Sequence, residues 1–213
     1  EDGRQRLYDD GHGLSIQVNG TETPLQIPNT NLTSVAMDRV MGITAALDEN
    51  NRLYIYQRQI PVWVVDIGLL PDFLVLPDIV VSDRATAIFA SDGNRLVRVN
   101  GAGRLEKSRP MTYFINELAT SPNGQLCVTA DSESGIIRIY AGEDLAFTHQ
   151  KYAVDLYASA TPVQLMAATA TPRVAVSAMA LTDDGVLAFA MEGIVTVTHM
   201  DTMQQMPRPH SLP

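Results

Sequence analysis

The 213-residue sequence predicts an all-β fold built from repeated antiparallel sheets. Three observations predict it. Short runs rich in Val, Ile, Leu and aromatic residues recur, with turn signals about every 8–12 residues. The intervening turns carry Asp, Asn, Ser, Pro and Gly, which supply positive φ or a preset φ for tight hairpins. No window shows a convincing helical period. The best, Val163–Thr169, is rich in Ala and Thr and flanked by Pro162 and Pro172, so it reads as a loop or a short turn of helix.

The elements follow in order. Arg6–Asp9, Leu14–Val18 and Thr23–Ile27 form a first, weak unit of three strands. Four further segments align with one another: Ile43–Leu53, Ala87–Leu96, Leu118–Leu126 and Met179–Leu187. Each is an apolar run, a polar turn, a Leu and a second apolar run. The turns are Asp48–Asn51, Ser91–Asn94, Ser121–Gly124 and Thr182–Gly185. After the anchoring Leu, Leu53–Tyr56, Leu96–Val99 and Leu126–Thr129 have strand composition, and Leu187–Ala190 has it more weakly. A third strand follows at Val62–Val65, Gly135–Tyr140 and Gly193–Thr198.

Leu53, Leu96, Leu126 and Leu187 are spaced by 43, 30 and 61 residues. The mean of roughly 45 is the span of a four-stranded β-propeller blade. The short interval predicts a trimmed blade around Gly101–Arg109, and the long one an insertion at Lys151–Arg173. With the first unit, the chain divides into about five blades in one domain, residues 1–205, with an extended Pro-rich tail at 206–213. A β-sandwich, which shares the alternation and the turns, is the alternative.

The third aligned segment, with the strand that follows it, carries a resemblance. Leu118-Ala-Thr-Ser-Pro-Asn-Gly-Gln-Leu126, followed by Gly135-Ile-Ile-Arg-Ile-Tyr140, resembles a WD40 or NHL-type propeller repeat. The likeness spans about 40–205 and is best over 115–148. The Trp-Asp dipeptide of WD40 repeats is missing, since Trp63 precedes Val64. The resemblance implies an interaction, scaffold or ligand-sensing module. Some propellers are hydrolases, lactonase-like or glycan-cleaving, that use channel-facing carboxylates with or without calcium. The candidates here are Asp38, Asp83 and Glu117, each placed near the start of an inner strand. In such a fold the small Ala45, Ala46, Ala87, Ala90, Ala119 and Ala180 suit the crowded centre. The larger Ile139, Tyr140, Phe147 and Phe189 suit the gaps between blades.

The most apolar stretch, Ile60–Val81, is broken by Pro61, Pro71, Pro77, Asp66, Asp72 and Asp78. A membrane helix needs about 20 apolar residues without such breaks. The stretch reads instead as two buried strands, Val62–Asp66 and Phe73–Leu76, joined by a turn at Pro71-Asp72, and no direct membrane insertion is expected. Leu70-Pro-Asp72 and Leu76-Pro-Asp78 read as edge-strand prolines that discourage aggregation.

Composition narrows the function. There are 24 acidic and 15 basic residues, a net charge of −9, which argues against a nucleic-acid partner. Of the basic residues 13 are Arg and two, Lys107 and Lys151, are Lys. Cys127 has no partner for a disulfide and sits in an apolar run, where it reads as a buried small hydrophobe. His12, His149, His199 and His210 are scattered, and His199 with Asp201 reads as a solvated edge pair. Asp131-Ser132-Glu133 and Asp183-Asp184-Gly185 resemble fragments of a calcium loop and read as hairpin turns. No nucleophile elbow, phosphate loop or dinucleotide fingerprint occurs. No cofactor or metal is therefore expected. Asn19-Gly-Thr21 and Asn31-Leu-Thr33 match the glycosylation pattern, so export stands as the alternative to a cytoplasmic location. The expected function is a non-catalytic module. Its partner is another protein or a domain of the same full-length chain, contacted through Arg39, Arg84 and Arg109.

Overall fold

The described residues form eighteen short strands, most of them where the apolar runs stand. The computed structural model describes residues 5–9, 14–18, 21–24, 32–38, 42–57, 60–68, 78–83, 86–131, 134–153, 176–191 and 194–199. The strands form five antiparallel sheets in chain order. The first sheet holds β1 (Gln5–Asp9), β2 (Leu14–Val18) and β3 (Thr21–Pro24). The second holds β4 (Leu32–Met37), β5 (Ile43–Asp48), β6 (Arg52–Gln57) and β7 (Ile60–Asp66). The third holds β8 (Asp78–Val81), β9 (Ile88–Ser91), β10 (Arg95–Val99) and β11 (Leu105–Pro110). The fourth holds β12 (Glu117–Thr120), β13 (Leu126–Asp131), β14 (Ile136–Ala141) and β15 (Phe147–Tyr152). The fifth holds β16 (Val176–Leu181), β17 (Val186–Met191) and β18 (Ile194–His199). Within each sheet every strand pairs only with its sequence neighbours. The first strands of four sheets lie side by side, in the order β4, β8, β12, β16. Among the described residues no helix is long and apolar enough to cross a membrane.

One hydrogen-bond device closes the turn after each of these first strands. The residue just past the strand is polar: Asp38, Ser82, Ser121 or Thr182. Its backbone N–H donates to the carbonyl of Ile43, Ala87, Leu126 or Val186, at 2.9, 3.0, 3.0 and 3.0 Å. Its side-chain oxygen accepts the backbone N–H of the same residue, at 3.1, 2.9, 3.0 and 2.9 Å. Both backbone polar groups of the residue at, or for Ala87 just before, the start of the second strand are thus satisfied inside the turn. At the other end of the sheets, Asp48 and Asp92 accept turn N–H groups from Asn50 and Arg52, and from Asn94 and Arg95.

These two devices correct the expected repeat. Asp48–Asn51 and Ser91–Asn94 link second to third strands, whereas Ser121–Gly124 and Thr182–Gly185 link first to second strands. Leu53 and Leu96 therefore belong to third strands, and Leu126 and Leu187 to second strands. The interval of 30 was a change of strand class, and no trimmed sheet exists at Gly101–Arg109. That segment contains a turn at Asn100–Arg104 and most of β11. Counted between third-strand starts (Arg52, Arg95, Ile136, Ile194), the spacings are 43, 41 and 58. The long interval falls where the insertion was expected. Its first residues, Lys151 and Tyr152, still belong to β15, and 154–175 lie outside the described residues.

Apolar side chains fill the spaces between sheets. Ile43, Leu47, Leu53 and Ile55 pack against Ile79, Ile88, Val97 and Val99 of the third sheet. Phe89 and Leu96 meet Leu118, Cys127 and Tyr140 of the fourth. Val128, Ile137 and Ile139 meet Leu181, Leu187 and Phe189 of the fifth. Adjacent turns also interlock. Asp83 N–H donates to the Pro122 carbonyl at 2.7 Å, and Asn123 N–H to Asp183 Oδ1 at 2.7 Å. Gly124 sits at φ +71° with Thr86 Oγ1 only 2.9 Å from where a Cβ would stand, so this junction requires glycine.

Three expectations on packing change. Strand β7 is an exposed edge rather than a buried strand, with Ile60 68% and Trp63 47% exposed. Phe147 lies on the outer strand β15 and is 46% exposed. Of the small residues assigned to the centre, Ala119 and Ala180 are on first strands, but Ala45, Ala46 and Ala90 are on second strands. Phe73–Leu76 and the tail at 206–213 lie outside the described residues.

Candidate functional site

Counting back four residues from each turn-closing residue gives Ser34, Asp78, Glu117 and Ala178. These positions share one register on the four adjacent first strands, and the first three are polar. The Asp78 carboxylate ties three strands together. Its Oδ1 accepts Ser34 Oγ at 3.2 Å and its own strand's Ile79 N–H at 2.8 Å. The carboxylate also takes the backbone N–H of Leu118. Burial raises the Asp78 carboxyl above the ordinary range, against the lowering effect of these hydrogen bonds. Glu117 is pushed up to about 7, chiefly by burial and then by the charge of Asp78. Glu117 therefore changes charge near neutral pH. Beside them, Asn116 donates from Nδ2 to the Val176 carbonyl at 3.0 Å, tying the fourth sheet to the fifth.

A cleft of about 380 Å³ opens at the same end of the sheets. It is lined by Asn94 from the β9–β10 turn, by Thr112, Tyr113 and Phe114 from the β11–β12 connection, and by Asp131 and Ser134 from the β13–β14 turn. Its wall is braced. The Arg138 guanidinium lies 3.5 Å from the Tyr113 ring centroid and 3.7 Å from Asp131 Oδ2. Ser134 Oγ donates to Asp131 Oδ2 at 2.6 Å. The Tyr113 hydroxyl hydrogen-bonds the Tyr140 hydroxyl. Burial raises the Tyr140 phenol, and its bond to Tyr113 adds to that. The result is a preorganised aromatic and polar concavity between two sheets.

The residues expected from sequence are dispersed. Glu117 opens β12, as expected. Asp38 and Asp83 follow the ends of β4 and β8, at the opposite end of the first strands from Glu117, so the three do not converge. Asp38 is buried and serves its turn. Arg109 faces inward between the third and fourth sheets. Its Nη1 donates to the Leu145 carbonyl at 2.6 Å and its guanidinium lies 5.4 Å from the Tyr140 ring centroid. Arg39, Arg84, Asp201 and the glycosylation patterns' Asn19 and Asn31 lie outside the described residues. Cys127 is buried, and burial raises its thiol far above the usual range, which suits a packing role. Among the described residues no three His, Cys, Asp or Glu side chains are placed to hold a metal.

Sequence reasoning missed Asp78, Tyr113, Phe114 and Arg138. Asp78 reads with Pro77 as part of an edge strand, and it opens β8, a terminal strand of its sheet that lies beside β4 and β12. The signal that finds it is its distance of four from Ser82, matching Glu117 and Ser121.

No family model matches the chain, and no curated protein does. Solved structures do match it in fold. The computationally designed Ika4 protein is 12% identical with a TM-score of 0.56, over 82% of this chain and 94% of that one. The designed Ika8 protein is 13% identical with a TM-score of 0.61, over 93% of this chain and 56% of that one. A complex of KlAtg21 with the coiled coil of AgAtg16 is 14% identical with a TM-score of 0.61, over 86% and 57%. The chain thus spans little more than half the length of the last two.

Proposed function

We propose that the chain is a β-propeller of about five blades, related to the WD40 and NHL-type repeats, and that it serves as a protein-interaction module. Five sheets of consecutive strands, with four first strands side by side, support the propeller over the two-sheet sandwich. The cleft lined by Tyr113, Phe114, Asn94 and Ser134 carries the interaction reading. It is formed by turns and a connection rather than by strand interiors, and its aromatic and polar lining suits a protein segment. A structure similar in fold is a complex with a coiled coil, which favours a protein as the partner class.

The rival reading is a hydrolase, favoured by the Asp78–Glu117 pair, since a carboxyl poised near 7 suits general acid–base work. One comparison separates the two. Asn94→Arg with Ser134→Arg fills the cleft from exposed positions, and Glu117→Gln removes the titrating acid. The interaction reading expects a partner identified by crosslinking to the wild type to lose at least tenfold in affinity for the first variant. Unchanged affinity for that variant, together with ester or glycoside hydrolysis that Glu117→Gln abolishes, would replace this reading with the rival.

A further inference from the structure

Two short routes join the acidic pair at the start of the first strands to the cleft. The first runs along the chain. Phe114 lies three residues before Glu117, in the β11–β12 connection. That connection is held along its length. Met111 N–H donates to the Asn94 carbonyl at 2.7 Å, and Ile115 N–H to the Gly93 carbonyl at 2.8 Å. Asn116 N–H donates to the Ala130 carbonyl at 3.0 Å, and the Ile115 side chain is buried. A segment held in this way passes a shift of Glu117 on to Tyr113 and Phe114 instead of absorbing it. The second route crosses the sheet. Glu117 pairs with Ala130 of β13, the neighbour of Asp131, whose carboxylate braces the cleft through Ser134 and Arg138.

Few charges surround Glu117. Strands β8, β9, β13 and β16 pack against β12. Neither β9 nor β16 carries a titratable side chain. β13 carries Asp131, paired with Arg138, and the buried Cys127 near its other end. β8 carries Asp78, and among the described residues this is the charge that acts on Glu117. Asp78 also accepts Ser34 Oγ and the N–H of Leu118, the residue after Glu117. While Glu117 is neutral, one carboxylate ties β4, β8 and β12 together. A second negative charge beside it must be hydrated or displaced, and either change draws the start of β12 away from Asp78. Because Glu117 changes charge near neutral pH, both states are populated there. We propose that this pair regulates the cleft: loss of the Glu117 proton loosens the connection that presents Tyr113 and Phe114, and weakens partner binding there. This regulation rests on the reading of the cleft as a protein-binding site. Linkage makes the effect reciprocal, so a bound partner raises the pH at which Glu117 ionises. If only the protonated form binds, affinity falls about thirtyfold between roughly pH 6 and pH 8.5, following the protonated fraction of a group that titrates at about 7.

A pH titration of the whole chain followed by nuclear magnetic resonance tests it. The backbone signals of Tyr113, Phe114 and Ser134 are expected to move with a midpoint near 7 over about pH 5.5 to 8.5, and to stay still in Glu117→Gln. In Asp78→Asn, which removes the neighbouring charge, the midpoint is expected to fall. Binding of the partner identified by crosslinking supplies the second readout. Relative to Glu117→Gln, the wild type is expected to bind it equally at about pH 6 and about threefold to thirtyfold more weakly at about pH 8.5. Cleft signals that stay still in the wild type, or that still move in Glu117→Gln, overturn the proposal. So does a wild type that matches Glu117→Gln at both pH values, for a partner that Asn94→Arg with Ser134→Arg releases; the interaction reading then stands without its regulation. A partner that those two arginines fail to release overturns the reading and the regulation together.

Discussion

Replacing Glu117 by Gln should stabilise the protein increasingly as pH rises from about 4.5 to about 7. The Glu117 carboxyl is pushed up to about 7, against an ordinary value of 4.5. Between those values the unfolded chain has released a proton that the folded chain keeps. Stability therefore falls as pH rises through this window. The contribution of Glu117 is fully present below about 4.5 and lost above about 7. The gap between the two values corresponds to roughly 3 kcal/mol. Glu117 is only partly buried, and solvent screening reduces this to roughly 1–2 kcal/mol. Asp78, also raised, adds a contribution of the same sign. Gln has nearly the shape of the protonated acid and carries no charge to repel Asp78. Thermal melts of both proteins at pH 5 and pH 8.5 should show equal midpoints at the lower pH. At the higher pH the variant should melt roughly 3–6 °C above the wild type. A gap that is the same at both pH values, or a variant that melts lower at pH 8.5, would refute the reasoning.

Two further substitutions test the junctions between sheets. Gly124→Ala must tolerate φ +71° and a Cβ about 3 Å from Thr86, Ser82 and Ala87, whereas Gly42→Ala, at φ +64°, meets nothing within 4 Å. Urea titration should show a loss of about 1 kcal/mol at Gly42 and about 2–3 kcal/mol at Gly124, and equal losses would mean that the turns do not interlock. Arg109→Met keeps the apolar stem but loses the bond to the Leu145 carbonyl and the contact with the Tyr140 ring. It should cost about 1–2 kcal/mol in the same titration, and an unchanged midpoint would show that Arg109 does not join the third and fourth sheets.

Much of the fold was legible because strand composition and turn chemistry are local. The first unit illustrates this: Arg6–Asp9 and Leu14–Val18 were expected as strands, and β1 and β2 stand at Gln5–Asp9 and Leu14–Val18. Exposure was less legible. The sequence Ile60-Pro-Val-Trp-Val-Val65 has the composition of a buried strand but forms an outer edge, since position in a sheet is a tertiary property. The candidate site was half legible. Glu117 was identified from its place before an apolar strand. Its effect depends on Asp78, which lies 39 positions away in sequence and reaches it only through packing of neighbouring sheets. Tyr113 and Arg138 likewise meet across two connections that no spacing announces.

The error in the repeat has a physical cause. In the second sheet the second and third strands are both buried on both faces, as Ala45–Leu47 and Leu53–Tyr56 show. An apolar run that begins with Leu therefore says that a strand is internal, but not which strand it is. Phase information resides in side chains that the backbone uses. Asp38, Ser82, Ser121 and Thr182 each accept an N–H five, five, five and four residues ahead. Asp48 and Asn100 make a similar bond in later turns, so the phase comes from the four closing residues taken together at the ends of the first strands. An alignment anchored on those four residues places the strands in phase, and it brings Ser34, Asp78 and Glu117 into one register. The polar centre then follows from the turns. Each first strand is fixed at one end by its closing residue. Residues four positions back are thereby set at equal height on adjacent strands, where Ser34 can donate to Asp78 and Asp78 can raise Glu117.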